Sequence, residues 1–260
     1  MKEIGVAVKI TDRCDKMCAH CCENSLPSGQ SMPFTKLQKV FEQISKHATR
    51  FGITGGEPVL YKWGKKNFLD VMEVCLNLNI QPTVMCGGAY DTYVYRHIFE
   101  NLIASYKIPF TLSFNLFKPN PEKLFTTAHD LIYLHNYIPD VFITYTEENQ
   151  DETMQRFENL RKSMHFTANI FKGHISEVGR AKNLNYFKKY KVINRCNSGI
   201  DKILFVDMEG LVAPCCEVGG EFTGWKHPMF TQSLSKTLAL SNRYCQRCPM
   251  FSGIVPAPRL

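Results

Sequence analysis

Three cysteines near the start of the chain, Cys14, Cys18 and Cys21, are spaced C-x3-C-x2-C. Thiolates this close together on one short loop suit a soft metal centre. They can hold three corners of a four-iron cube, leaving one iron without a protein ligand, or, with Cys22 added, a zinc ion. A second group comes late: Cys196, thirteen residues to Gly210, four more to Cys215, and then Cys245-Gln246-Arg247-Cys248-Pro249. Cys196, Cys215, Cys245 and Cys248 supply four thiolates, enough for an iron-sulfur cluster or a structural zinc, with Cys216 a competitor of Cys215. Eleven cysteines in 260 residues is a high count, and no secretory signal precedes the first alternating segment, so the spacing points to metal rather than disulfides. Cys75 lies on the apolar face of a predicted helix and belongs to the core, while Cys86 sits at a strand end before Gly87-Gly88.

Other residues could serve such a centre. Thr54-Gly55-Gly56-Glu57-Pro58 follows a predicted strand about thirty residues after the first cysteines. Glycines there let backbone approach a ligand closely, and Glu57 offers an acceptor to a charged amine. Ser113 and Asn115 share the polar face of a strand whose other face carries Phe110, Leu112, Phe114 and Leu116. Arg180 in Gly179-Arg180-Ala181 could meet a carboxylate. Tyr145, Glu147, Glu148, His174 and Glu217 are acid or base candidates by chemistry alone, so the catalytic group is left open. Tyr186 to Lys191 interleaves bases and aromatics, and Lys62, Lys65 and Lys66 follow Glu57; both stretches suit a solvated surface or a nucleic acid.

Positioning these groups requires a scaffold of alternating elements. Ile4, Val6, Val8 and Ile10 give a first strand over residues 3–10, and Pro33 opens a helix with Phe34, Leu37, Phe41 and Ile44 on one side. Further strands are expected at 51–54, 83–86, 110–117, 141–146 and 166–171, with helices near 68–78, 92–104, 122–135 and 152–162. Six strands alternating with helices predict an α/β fold, a partial (β/α)6 TIM-like barrel over residues 1–182. Residues 183–260 are short, rich in Gly, Pro and Cys, and read as a small metal-stapled subdomain. Its signature is a β-hairpin, residues 202–206 and 211–213 around Asp207-Met208-Glu209-Gly210. No run of about 18 apolar residues exists, so no membrane span is expected and a soluble, cytoplasmic protein is. The net charge of +7 is a weak hint of a polyanion.

In order and spelling, C-x3-C-x2-C, GGEP, the polar strand and GRA resemble the radical S-adenosylmethionine (radical SAM) superfamily over nearly the whole chain. The resemblance implies that Cys14, Cys18 and Cys21 hold a [4Fe-4S] cluster whose open iron takes the amino and carboxylate groups of S-adenosylmethionine (SAM). Gly55, Gly56 and Glu57 would receive the methionine amine, Ser113 and Asn115 the ribose and carboxylate, and Arg180 a carboxylate of SAM or substrate. His20 stands where many members carry an aromatic residue and would stack near adenine. Cys22 is given no ligand role, since a fourth thiolate would block SAM. Reductive cleavage of SAM then yields a 5'-deoxyadenosyl radical that abstracts a substrate hydrogen, leading to oxidation, rearrangement or bond formation.

The late cysteines resemble the C-x(9-15)-G-x4-C start of SPASM and twitch domains. Only twelve residues follow Cys248 and none is Cys, which favours the shorter twitch form of hairpin plus helix. It implies a second, auxiliary [4Fe-4S] cluster on Cys196, Cys215, Cys245 and Cys248, with Cys215 keeping the glycine spacing. Implied partners are a reducing electron donor such as flavodoxin or ferredoxin and a small-molecule, carrier-bound or peptide substrate. Peptide maturases commonly carry a leader-binding domain, for which a barrel starting near residue 3 leaves no room at the front. The alternatives are radical SAM hypermodification of a DNA or RNA base, and a non-catalytic metal-binding nucleic-acid regulator.

Overall fold

Strand β1 (Gly5–Thr11) carries Val6, Val8 and Ile10 on its buried face, as its alternation predicts. Helix α1 (Phe34–Ile44) follows Pro33 and buries Leu37, Val40, Phe41 and Ile44 against it. A proline suits this boundary because its missing N–H would have no helical partner. A computed structural model describes residues 5–46, 50–87, 97–98, 100–165, 167–175, 180, 203–213 and 227–228.

The strand-helix unit then repeats. Strand β2 (Arg50–Gly55) is followed by a 3-10 turn at Pro58–Leu60, a small hairpin of β3 (Lys62–Trp63) and β4 (Lys66–Asn67), and helix α2 (Phe68–Asn77). Asn67 caps α2 reciprocally with Asp70: the Leu69 N–H donates to Asn67 Oδ1 and the Asn67 N–H to Asp70 Oδ2, both at 2.8 Å. Strand β5 (Gln81–Cys86), a π-helical turn at Leu102–Tyr106 and strand β6 (Phe110–Phe114) come next. Helix α3 (Lys123–His135), strand β7 (Asp140–Tyr145), helix α4 (Gln150–Ser163) and strand β8 (Asn169–His174) complete the series.

Six of these strands run parallel in the order β1-β2-β5-β6-β7-β8. This is a mostly parallel α/β sheet curved as part of a barrel, the architecture that alternation predicts. Its outer face packs on the helices. Phe114 of β6 meets Phe125 of α3 and Phe157 of α4, with ring centroids 5.3–5.6 Å apart in tilted or edge-on pairs. Cys75 and Cys86 both belong to this apolar layer, so the Cys86 thiol faces the helices and lies 3.7 Å from the Thr111 carbonyl.

Several boundaries shift from the sequence expectation, among them those of β6 and β8. Strand β6 ends at Phe114, so Asn115 lies just beyond it. Strand β8 begins at Asn169 rather than Phe166, because α4 runs to Ser163 and its left-handed exit at His165 (φ 49°) uses the next residues to turn the chain. Of the helix expected at 92–104, residues 97–98 and 100–104 are described, and the π-helical turn ends at left-handed Lys107 (φ 49°).

The late hairpin forms as its turn predicts. Strands β9 (Ile203–Val206) and β10 (Leu211–Ala213) pair antiparallel around Gly210 (φ 76°). Asp207 Oδ1 accepts from the N–H groups of Glu209 and Leu211 at 2.9 Å each. Strand β9 then pairs parallel with β1, Val8 opposite Val206, and β10 pairs with β11 (His227–Pro228). The hairpin thus extends the barrel sheet on the β1 side, giving nine strands in all among the described residues. No helix among those residues is long and apolar enough to cross a membrane.

Candidate functional site at the carboxyl ends of the strands

Every sequence-predicted residue of the first motif set that is described lies where strands β1, β2 and β6 end. The cysteine loop leaves β1 at Thr11 and is stitched back onto itself: Cys14 N–H donates to Leu26 O at 2.9 Å, Leu26 N–H to Asp12 O at 3.1 Å, and Asp12 N–H to Gln30 O at 2.7 Å. Met17 and Asn24 take left-handed φ values of 47° and 53°, which fold the loop tightly. Cys14 and Cys18 are buried, Cys21 is half-buried and Cys22 is exposed. Among the described residues no three His, Cys, Asp or Glu side chains converge as ligands of a single ion.

Burial pushes the Cys14 thiol up to about 12, and the charges of Glu57, Cys18 and Asp15 act the same way. Burial raises Cys18 as well, opposed by Lys118 and Arg180. Thiols in such surroundings become thiolates when a cation binds them, since a coordinated metal deprotonates its sulfur ligands.

The loop after β2 docks directly on the cysteine loop. Gly56 N–H donates to Thr11 O and Glu57 N–H to Arg13 O, both at 2.7 Å. A Cβ on Gly55 would stand 2.2 Å from Thr11 O, and one on Gly56 2.3 Å from Arg13 O. Close approach is therefore the reason for both glycines, but what they approach is the cysteine loop's own backbone rather than the ligand the sequence reading expected. Glu57 itself is 1% exposed. Its Oε2 accepts from Gly87 N–H at 2.7 Å, and its buried Oε1 has no hydrogen bond. Burial lifts the carboxyl to about 7, against the pull of Gly87, Lys16 and Lys118.

Asn115 is fully buried and joins three elements. Its Nδ2 lies 3.1 Å from His20 Nε2 and 3.2 Å from Thr144 Oγ1, and its Oδ1 accepts from Phe117 N–H at 3.1 Å. His20 is thereby fixed above β6, its ring centroid 6.1 Å from that of Phe117, and its buried Nδ1 has no hydrogen bond. Burial, with Lys118 and Arg180 nearby, lowers the imidazole to about 3, so the ring is neutral. Ser113 points to the same inner face, and its carbonyl accepts from Lys118 Nζ.

Arg180 arrives from the far end of the barrel. Its Nε donates to Cys18 O at 3.0 Å, its Nη1 to Ser25 O at 2.9 Å and its backbone N–H to Cys21 O at 2.9 Å. Two nitrogens of one guanidinium thus brace the cysteine loop, and the buried Nη2 is left without a hydrogen bond.

Sequence reasoning missed Lys118. Its Nζ donates to the carbonyls of Gly87, at 3.1 Å, and Ser113, tying β5 to β6 beside Glu57 and the thiols. Burial lowers its pKa while Cys18, Glu57, Cys86 and Cys14 raise it. Gly87 therefore serves both charges, its N–H to Glu57 and its C=O to Lys118, and a Cβ there would stand 2.8 Å from Glu57 Oε2. The dipeptide Gly87-Gly88 was the only local signal. Cys196, Cys215, Cys245 and Cys248, and with them Glu217 and Tyr186 to Lys191, lie outside the described residues.

No family model matches the chain, and none of the curated proteins matches it. Solved structures do. SuiB of Streptococcus suis bound to precursor peptide SuiA superposes with a TM-score of 0.68 at 13% identity, over 95% of this chain and 70% of SuiB. SuiB bound to S-adenosylmethionine gives 0.65 at 13% identity, and SuiB by itself 0.62 at 12%, each over 95% of this chain and 71% of SuiB. The chain has the fold of SuiB. At these identities the likeness is one of architecture, and the chemistry rests on the site.

Proposed function

We propose that the chain is a radical SAM enzyme whose SAM-binding [4Fe-4S] cluster is held by Cys14, Cys18 and Cys21. One observation carries the reading: the buried Glu57 carboxylate, one oxygen spent on Gly87 and the other unsatisfied, on a loop docked against the one that bears Cys14, Cys18 and Cys21. A buried acceptor without a donor asks for a ligand. A ligand ammonium satisfies Oε1 and offsets the burial that lifts this carboxyl. His20 Nδ1 and Arg180 Nη2 are likewise buried and unsatisfied around the same loop, offering positions for an adenine and a carboxylate. The residues present fit the cofactor.

When bound and reduced, the cluster and SAM supply a 5'-deoxyadenosyl radical. The chain's own tasks are to bind, orient and exclude water. Glu57 holds the methionine amine, Gly55 and Gly56 lock the two loops together, and Ser113 and Asn115 line the ribose side. Lys118 holds the ends of β5 and β6 in register while compensating negative charge among the thiolates and Glu57. The four late cysteines, Cys196, Cys215, Cys245 and Cys248, carry an auxiliary [4Fe-4S] cluster of the twitch type. Precursor peptide SuiA on SuiB favours a peptide substrate for this chain, over the small-molecule and carrier-bound alternatives.

The reading is tested by assaying anaerobically reconstituted, reduced protein with SAM for 5'-deoxyadenosine and methionine. Stoichiometric release of both is expected, with iron content near eight per chain as two four-iron clusters require. Absence of SAM binding and of iron at Cys14, Cys18 and Cys21 would end the proposal.

A further inference from the structure

The β3–β4 hairpin has a composition that its structural task does not require. Residues 62–67, Lys-Trp-Gly-Lys-Lys-Asn, are all exposed, and Trp63 shows 44% of its surface to solvent. Gly64 takes φ 58° at the tip, with open space around it. Lys66 is engaged, 2.7 Å from Asp70 Oδ1 and 5.1 Å from the centre of the Phe34 ring. Lys62 and Lys65 pair with no carboxylate among the described residues. The result is a tryptophan face between two uncompensated ammonium groups.

The hairpin is mounted on the wall of the site. Lys62 N–H donates to Ser31 Oγ at 3.2 Å, and Ser31 Oγ lies 2.9 Å from Thr11 Oγ1. Thr11 is the residue whose carbonyl receives Gly56, immediately before the cysteine loop. Tyr61, next to the hairpin, donates its hydroxyl to Met32 O at 2.7 Å, and Asn67 at the other end caps α2. Both stems are thus tied to the fold, and the tip between them is exposed.

We infer that this hairpin is the docking surface for an acidic, one-electron donor protein of the flavodoxin class. The inference rests on the radical SAM reading, which requires an electron to enter at the cysteine loop. Exposed tryptophans concentrate binding energy when covered, and flanking lysines steer an acidic partner and set the salt dependence of its approach. In the step served, the donor's flavin hydroquinone loses one electron and becomes a semiquinone. That electron passes through the cluster on Cys14, Cys18 and Cys21 to the sulfonium of SAM, whose carbon-sulfur bond breaks to give neutral methionine and a carbon radical.

The test uses the reconstituted holoenzyme, its Lys62→Glu/Lys65→Glu double variant and a Trp63→Ala variant. Flavodoxin affinity is measured by calorimetry at low and high salt, and 5'-deoxyadenosine formation is followed with reduced flavodoxin and, separately, with dithionite. Charge reversal should weaken flavodoxin binding at low salt at least about tenfold, the scale of two lost cation contacts, and slow flavodoxin-driven turnover in parallel. Dithionite-driven turnover should not change. Trp63→Ala should weaken affinity while leaving its salt slope intact. Unchanged affinity and flavodoxin-driven rate in both variants overturns the inference. So does loss of single-stranded oligonucleotide binding with flavodoxin turnover intact, which would assign the face to nucleic acid. A wild-type protein that cleaves no SAM even with dithionite would sink the underlying reading instead, while the calorimetry would still judge the surface.

Discussion

The two faces of the barrel sheet solve opposite problems. On the helix side, Phe114, Phe125 and Phe157 fill space with apolar rings. At the carboxyl ends of the same strands, Arg13 Nε, His20 Nδ1, Ser25 Oγ, Glu57 Oε1 and Arg180 Nη2 are buried without hydrogen bonds. Natural folds leave few such atoms, and their concentration on one rim is what the proposed binding of a ligand there accounts for. The helix layer has fewer such atoms among the described residues, Gln43 Oε1 on α1 and Thr153 Oγ1 on α4, and they are not gathered at one place.

Cysteine replacement should show the contrast most sharply. Cys14→Ala, Cys18→Ala or Cys21→Ala is expected to abolish SAM cleavage and remove the iron bound there, with far-UV circular dichroism preserved; retained cleavage would dissolve the distinction. Opposite behaviour is expected from Phe157→Ala, which should cost about 3–5 kcal/mol in denaturant unfolding through the cavity it leaves. Iron per folded chain should stay as in the wild type.

Glu57→Gln sits between these extremes and tests both properties at once. Loss of the charge-assisted contact should weaken SAM binding by about 10- to 100-fold, read by equilibrium dialysis. Stability should move the other way. Because burial raises the folded-state carboxyl from 4.5 to about 7, ionising it penalises the ligand-free fold as pH climbs through that window. The glutamine variant escapes the penalty, so its urea midpoint relative to wild type should be higher at pH 8 than at pH 5; an equal offset at both would refute the raised value. Arg180→Met should have the smallest effect, releasing Cys18 O and Ser25 O and shortening the time for which iron survives a chelator. Arg180→Lys should not restore it fully, since one ammonium cannot reproduce the two-pronged contact.

The same contrast explains what was readable in the sequence. The helix layer is written in local periodicity: α1 and the outward residues of β6 follow from spacing alone. Within the rim, the cysteines, Gly55, Gly56 and Glu57 stand out because their types and spacing are unusual. Lys118 does not, since its partners Gly87 and Ser113 are contributed by other loops and strands and nothing local announces them. Arg180 was visible as a residue but its two contacts on the cysteine loop, more than 150 positions away, were not. The hairpin of β9 and β10 was legible from its turn, whereas its parallel seat on β1 is a long-range choice made by the edge of the sheet.

That seat carries a consequence for how the molecule is made. Strand β1, which leads into the cysteine loop, is synthesised long before its partner β9, so one of its flanks stays bare until residues 203–206 have been made. Such a distant pairing is slow to close. If the proposed cluster is loaded before that moment it meets a half-built support, so its insertion is expected after synthesis of β9, and any truncation upstream of β9 would expose an unpaired strand edge beside the cysteine loop.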